Sequence, residues 1–289
     1  MVHALIDGVL TGSVYALMAT GLTLIFGVMD IINVAQGIFV ILGAYLSYTL
    51  QVHFGIDLFA GLLITIPIMF VVGIVIERIF LSRLKGPEKT AMSILVTYAI
   101  SLVIEGLLNE IFTVNNVQLN ASYVNKSFPL FGIYFPYIYL FGFVLAVVLL
   151  GSLYYMLYRT RFGASIRASL ADQAAAALVG IDVKKVSTIC FGIGIAVTAA
   201  GGMIFGATNA FNASTSYDLI SRLLTIIVLG GMGSLAGALV AGILMVTLED
   251  LVGVLWSPIW STMSFFIVLV IVLSFRPQGL FGKQSARVA

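Results

Sequence analysis

Charged residues are scarce in this sequence. Only 9% of its 289 residues are Asp, Glu, Lys or Arg, whereas 61% are hydrophobic and the mean hydropathy is +1.15. Soluble domains carry about 25% charged residues. The 14 basic and 12 acidic side chains are therefore too few for a water-facing surface, and the composition predicts a chain solvated mainly by lipid.

Cysteine and histidine are scarcer still. Cys190 is the single cysteine, which excludes an internal disulfide and every multi-cysteine metal site. His3 and His53 are the only histidines, too few for a zinc cluster or a histidine-based catalytic triad. The net charge of +2 shows no bias toward nucleic acid. We therefore expect no metal, no cofactor, no catalytic residue and no nucleic-acid partner.

Long apolar runs are abundant. A helix crosses the bilayer core with about 20 apolar residues. Eight runs of about that length lie at 4–27, 36–52, 57–80, 91–112, 137–158, 186–208, 235–255 and 259–276, and a shorter run lies at 218–229. We predict an all-α polytopic membrane protein with about eight transmembrane helices plus a re-entrant or broken helix, forming a single transmembrane domain over residues 1–289.

The basic residues are unevenly distributed. Twelve of the 14 flank the loop near 81–90, lie in 159–185 or close the chain: Arg78, Arg83, Lys85, Lys89, Arg159, Arg161, Arg167, Lys184, Lys185, Arg276, Lys283 and Arg287. Because basic residues are retained on the cytoplasmic side, this predicts a cytoplasmic C-terminus. With the C-terminus inside, the segments from 57 onward cross the membrane in alternating directions only if 218–255 is a re-entrant hairpin that enters and leaves from the outside. The basic residues do not decide on which side of the membrane the N-terminus lies.

Two breaks interrupt the apolar runs. The first, 27–37, is either a polar surface loop or part of a transport pathway; the second, 229–234, has no charge or proline to mark a surface turn, which favours a break embedded in the membrane. We predict a substrate path between them. Its residues are Asn33, Gln36, Gly37, Gly230, Gly231 and Gly233. The alternative is that the polar side chains only cap neighbouring helices.

Acidic residues also occur within the apolar runs. Glu105 lies inside 91–112, where a charge costs about 2.5–3.5 kcal/mol on insertion scales, so it should face the bundle interior or a wet cavity. We favour a structurally paired Glu105 and keep a substrate contact as the alternative. Glu249 and Asp250 are expected near the outer interface.

The segment 159–185 is the most informative stretch outside the apolar runs. Its alanine-rich part, 172–178, predicts a short helix that stops at Gly180. An apolar stripe at helical spacing is formed by Ile166, Leu170, Ala174 and Leu178. The helix either lies on lipid headgroups or docks on a cytoplasmic partner, and the small residues of the stripe favour docking.

Five motifs carry a family resemblance across nearly the whole chain. They are Gly12–Gly27, Ile32–Tyr45, Gly163–Ile181, Val228–Gly237 and Arg276–Gly282. Together they resemble the LivH-type permease subunits of branched-chain amino acid ABC importers. The sequence departs from the family at Gln36, where the family usually has histidine.

The resemblance implies a permease subunit that moves branched-chain amino acids across the inner membrane by ATP-driven alternating access. It implies a second homologous permease in a heterodimer, two cytoplasmic ATPase subunits and an extracytoplasmic binding protein. It also implies a coupling surface toward the ATPase, formed by Gly163, Arg167, Ala168, Asp172, Ala176, Gly180 and Ile181. The alternatives are a permease for urea, short amides or other amino acids, or a stand-alone secondary transporter or channel.

Overall fold

The computed structural model describes residues 1–84, 86, 88–121, 123–124, 126–130 and 133–282. The basic residues Lys85, Lys283 and Arg287 lie outside the described residues. The helices are α1 Val2–Met29, α2 Gln36–Phe54, α3 Leu58–Ile79, α4 Lys89–Phe112, α5 Tyr137–Arg159, α6 Arg161–Ala171, α7 Gln173–Leu178, α8 Val183–Thr208, α9 Ser216–Gly230, α10 Leu235–Leu255 and α11 Pro258–Phe275. Two 3-10 turns lie at Leu81–Arg83 and Ala213–Thr215.

The prediction of an all-α polytopic membrane protein is confirmed. Within the described residues, eight helices are long and apolar enough to span a membrane, namely α1 to α5, α8, α10 and α11. Each predicted segment becomes a helix with ends within three residues of the expected ones. The agreement is close because a span must satisfy its own backbone hydrogen bonds over a fixed apolar length. A short antiparallel hairpin, β1 Ser127–Leu130 and β2 Ile133–Pro136, interrupts the connection between α4 and α5.

Helices α1 and α8 form the centre of the bundle. In their most apolar stretches 78% and 83% of the residues are buried, against 6% in α11. Glycine allows the two central backbones to touch, since a Cβ at Gly194 would lie 2.8 Å from the Gly21 carbonyl oxygen. α1 packs as closely on α10, where a Cβ at Gly12 would lie 2.9 Å from the Ile243 Cα. The peripheral helices are left with apolar outer faces that lipid can solvate.

The two ends of the bundle differ. At one end, Lys89 Nζ donates to the Met29 carbonyl at 2.8 Å, and Gln173 Nε2 donates to the Val28 carbonyl at 2.7 Å. We call this end, which carries the α3–α4 connection and 159–185, the basic end. The opposite hairpin end carries β1, β2 and the start of α1. The N-terminus and the basic segments therefore lie at opposite ends.

Helices α9 and α10 form the predicted hairpin. α9 has 15 residues, a length of about 22 Å at 1.5 Å per residue, which is shorter than a full span. It runs to the basic end, where 231–234 connects it to α10, and the 21 residues of α10 lead back to the hairpin end. The break at 229–234 thus lies at the basic end of the bundle rather than in its middle.

Candidate functional site

The first break turns back into the bundle. Asp30 ends α1 in a left-handed conformation with φ of 54° and is exposed at the basic end. The chain then runs inward, so that α2 begins near mid-bundle. There Gln36 Nε2 donates to Thr198 Oγ1 of α8, and Thr198 donates to the Met18 carbonyl of α1 at 3.3 Å. Of this segment, the structure places Asp30 at the surface and Gln36 inside.

Asn33 and Gln36 are fully buried. Asn33 Nδ2 donates to Gln36 Oε1 at 2.8 Å, so the two amides and Thr198 form one chain of hydrogen bonds. Asn33 Oδ1 is left without a partner among the described residues. Neither amide lines the two cavities described below. In this conformation the two side chains attach the start of α2 to α8, and neither of them caps α2.

The second break is closed by the C-terminal segment. Gly231 has φ of 94°, a conformation that glycine adopts without steric cost. The Leu280 N–H donates to the Leu229 carbonyl at 2.7 Å, and the Phe281 N–H donates to the Gly230 carbonyl at 3.3 Å. Residues 280–281 therefore satisfy carbonyl groups that the end of α9 leaves free.

The two breaks approach each other at the basic end. A Cβ at Gly27 would lie 3.6 Å from the Gly233 Cα. Both glycines line a cavity of about 1110 Å³, together with Asp30, Lys89 and Arg167. The predicted path residues therefore divide into two groups: Gly230, Gly231 and Gly233 at the basic end, and Asn33, Gln36 and Gly37 deeper in the bundle.

Gly37 and Glu105 both contact the start of α9. A Cβ at Gly37 would lie 3.0 Å from the Ile220 backbone nitrogen, so glycine permits α2 and α9 to meet. Glu105 is half-buried and accepts a hydrogen bond from the Tyr217 hydroxyl at 2.5 Å. The structure thus gives Glu105 a structural partner and places it apart from Asn33.

The segment 159–185 contains two helices rather than one. Asp172 is extended, with φ of −161°, and separates α6 from α7. Its Oδ1 accepts hydrogen bonds from the Ala174 and Ala175 N–H groups at 2.8 and 3.1 Å, which starts a new helix. The predicted stripe is therefore wrong beyond the break: Leu178 is 88% exposed, and Ala176 is the buried residue of α7.

The start of α6 is fixed to the end of α5. Gly163 lies so close to the Leu157 carbonyl that a Cβ would clash with it. The Arg167 guanidinium donates to the same carbonyl, and its Cζ lies 5.3 Å from the centre of the Tyr158 ring. Thr160 caps α6 by accepting the Gly163 N–H at 3.0 Å. Because Arg167 of α6 is hydrogen-bonded to α5, a displacement of α6 would also move α5. Ala168, the next residue of α6, is half-buried.

The end of α7 depends on glycine. Gly180 has φ of 86°. Its N–H donates to the Ala177 carbonyl at 3.1 Å, and the Ile181 N–H donates to the Ala176 carbonyl at 3.1 Å. These bonds end the helix with the left-handed residue typical of helix C-termini. Leu178 stands exposed beside them, leaving an uncovered apolar surface outside the bundle.

Asp182 begins α8 on the far side of that turn. The Lys185 backbone N–H donates to Asp182 Oδ1 at 3.1 Å, and Lys185 Nζ lies 3.1 Å from Oδ2. The backbone hydrogen bond and then the lysine side chain lower the pKa of this exposed carboxyl. The surface next to α7 therefore carries an ion pair in which the carboxylate of Asp182 stays ionised.

Sequence reasoning missed an ion pair inside the bundle. Arg222 Nη1 of α9 lies 2.5 Å from Glu249 Oε2 of α10, and their side chains are 23% and 10% exposed. Glu249, expected near the outer interface, lies toward the hairpin end of α10 and is buried. The signal was present as an arginine and an acid in neighbouring apolar runs, but their pairing depends on the packing of α9 on α10. Both residues line a second cavity, of about 740 Å³, at the hairpin end.

Comparisons with known proteins identify relatives along the full chain. Residues 4–273 match the family described as "Branched-chain amino acid transport system / permease component". The permease protein BraD of Pseudomonas aeruginosa is 27% identical, with 96% of this chain and 95% of the relative covered. The LivH permease of Methanocaldococcus jannaschii is 28% identical over 95% and 90%. The LivM permease of Escherichia coli is 24% identical over 92% and 67%. No solved structure matches the chain.

Proposed function

Since the chain belongs to the branched-chain amino acid transport permease family, we propose that it carries branched-chain amino acids into the cytoplasm as the permease subunit of an ABC importer. It is a transport subunit and not an enzyme. The observation that carries the proposal is the family match over 4–273, which includes all eight candidate spans except the first two residues of α1 and the last two of α11. Transport proceeds by alternating access, driven by ATP hydrolysis on other subunits.

The proposed complex has a second permease, two cytoplasmic ATPase subunits and an extracytoplasmic binding protein. The LivH and LivM permeases of Escherichia coli are both similar to this chain, which supports pairing of two homologous permeases in a heterodimer. The basic end faces the cytoplasm of an inner membrane, because basic residues are retained there. In this orientation the C-terminus is cytoplasmic and the N-terminus is outside.

The coupling surface of the proposed importer is 159–185. Leu178 at the end of α7 and the following Val179 are exposed, and they form an apolar surface that a partner subunit would cover. α6 reaches the transport domain through Leu170, whose Cδ2 would lie 2.7 Å from a Cβ at Gly27. Gly27 in turn faces Gly233. A movement of α6 therefore acts on both breaks at once.

The substrate path in this proposal is gated at the two breaks. In a background in which Cys190 is replaced by Ser, cysteines at 33, 36, 231 and 233 should differ in labelling by a small hydrophilic thiol reagent. We expect position 233 to react in the absence of nucleotide, because Gly233 lines the basic-end cavity, while 33 and 36 are protected by burial. ATP should change this pattern. Uniform protection of all four positions with and without ATP would contradict a gated path.

The substrate class is tested by uptake. The permease is reconstituted into liposomes with its partner subunits and binding protein, and radiolabelled leucine, isoleucine, valine, urea and acetamide are compared in the presence of ATP. We expect accumulation of the three amino acids and not of urea or acetamide. Accumulation of urea or acetamide without leucine would assign the chain to a different substrate class within the family.

A further inference from the structure

The hairpin-end cavity combines charge with an apolar floor. It lies between the hairpin-end termini of α1, α5, α8, α10 and α11 and reaches down to α9. Its volume of about 740 Å³ falls within the range of about 300–1,000 Å³ usual for small-molecule sites. Its charged residues are Asp7, Asp218, Arg222, Glu249 and Asp250. The proposed function assigns it no role.

Among the described residues, Arg222 is the one Lys or Arg side chain of this lining. It gives one hydrogen bond, from Nη1 to Glu249 Oε2, although a guanidinium has five N–H donors. The other donors have no acceptor among the described residues, and the side chain keeps 23% of its surface exposed. Arginine binds carboxylates through two parallel N–H···O bonds. The residue thus has donors left for a carboxylate that enters the cavity.

Carboxylates surround this guanidinium in excess. Asp218 lies one helical turn before Arg222 on α9, and Asp250 follows Glu249 on α10. With Asp7, the described lining holds four acids and one arginine, so its formal charge is −3. After Arg222 has bound a carboxylate, the remaining acids favour a cation close by. The charges therefore suit a molecule that carries an anion and a cation a few bonds apart.

The deeper walls are apolar. Met18, Ile204, Leu219 and Val246 are buried side chains that line the cavity beside Arg222. A charged or strongly polar substituent placed against them would lose its hydration without replacement, whereas an aliphatic substituent gains from leaving water.

We propose that the hairpin-end cavity is a binding site for the free zwitterionic amino acid: Arg222 binds its carboxylate, Asp218 and Asp250 attract its ammonium group, and the apolar floor holds its aliphatic side chain. The inference rests on the proposed function and deepens it by locating where the permease receives substrate. The excess of carboxylates repels acidic amino acids. The apolar floor excludes amino acids with long polar side chains, because these would lose their hydration there.

The competing explanation is that Arg222 and Glu249 only fasten α9 to α10. Removing one partner alone would leave the other charge buried and destabilise the protein whichever explanation holds. The decisive variant therefore neutralises both, Arg222→Gln with Glu249→Gln, which keeps hydrogen-bonding groups at both positions. Asp250→Asn is a second variant that leaves the ion pair intact. Asp57→Asn is the control, because Asp57 lies at the hairpin end but outside the cavity and asparagine also caps helices.

Binding of radiolabelled leucine is measured by scintillation proximity on the purified complex of permease and partner subunits, without the binding protein. We expect saturable binding that isoleucine displaces, whereas 4-methylpentanoate and 3-methylbutylamine, which each lack one charged group, do not. The double variant should weaken binding by about 10- to 100-fold, the range for lost hydrogen bonds to charged groups. Asp250→Asn should also weaken binding, and Asp57→Asn should leave it unchanged.

Three results would overturn the site. They are leucine binding by the double variant with wild-type affinity, displacement of leucine by either singly charged analogue as effectively as by isoleucine, and absence of binding in a wild-type complex that takes up leucine normally. The proposed function fails separately, if the wild-type complex with binding protein and ATP accumulates no leucine.

Discussion

Replacing Gly180 with valine should uncouple ATP hydrolysis from amino acid uptake. At the φ of 86° that Gly180 adopts, an L-residue pays about 1–2 kcal/mol, and a β-branched side chain pays more. The native turn after α7 then loses about tenfold in population. Because no atom lies within 4 Å of a Cβ at this position, the change adds strain without a clash. Uptake and substrate-stimulated ATP hydrolysis in the reconstituted complex are the measurements.

The matched control at this position is Gly180→Asn. Asparagine tolerates the left-handed region better than other non-glycine residues, so this variant should retain most of the coupling. Both variants place a side chain in open space, and they differ in the conformation that they allow. A Gly180→Val complex with normal assembly, normal uptake and normal stimulated ATP hydrolysis would contradict a coupling role for the end of α7.

Gly231→Ala should damage the transport domain more than Gly233→Ala, the other substitution at a glycine with positive φ in the second break. The residue has φ of 94°, which costs about 1–2 kcal/mol for alanine. In addition, the new Cβ would lie 2.7 Å from the Gly282 Cα of the C-terminal segment. Such overpacking costs about 1–3 kcal/mol and would displace the segment that caps the end of α9. We expect a lower midpoint of thermal unfolding and a loss of uptake.

Gly233→Ala is the control that separates the backbone strain of a positive φ from the steric clash with the C-terminal segment. Its φ of 83° is similar, but a Cβ there meets only the Gly27 Cα, at 3.7 Å. This variant should show the conformational cost alone and keep the C-terminal segment in place. Equal loss of stability and uptake in the two variants would mean that contact with 280–282 does not stabilise the break.

The transmembrane helices were predictable because their apolar length follows directly from the absence of water in the bilayer. The depth at which α2 begins in the bundle was not, since the break at 27–37 is equally compatible with a surface loop. Its position is decided by the contact of Gln36 with Thr198, 162 residues later. Hydropathy measures how apolar a segment is. It does not identify the polar side chain in another helix with which a residue of that segment forms a hydrogen bond.

The coupling segment shows the same limit on a local scale. Helix propensity correctly indicated helix around 172–178 and a glycine at its end, but Asp172 was assigned to the helix rather than to its cap. Aspartate competes for backbone N–H groups, and here it ends α6 and begins α7. The ion pair of Arg222 and Glu249 was missed for a different reason. A charged residue in an apolar run indicates that a partner exists without identifying it.

The central claim, that this permease is driven by ATP hydrolysis on partner subunits, is tested most directly by leucine uptake into liposomes of defined composition. Liposomes with the permeases alone are compared with liposomes that also contain the ATPase subunits and binding protein, each with ATP, without ATP, and with a non-hydrolysable analogue. The account predicts concentrative uptake only in the complete system with hydrolysable ATP. Uptake at the full rate by the permeases alone without ATP would contradict it.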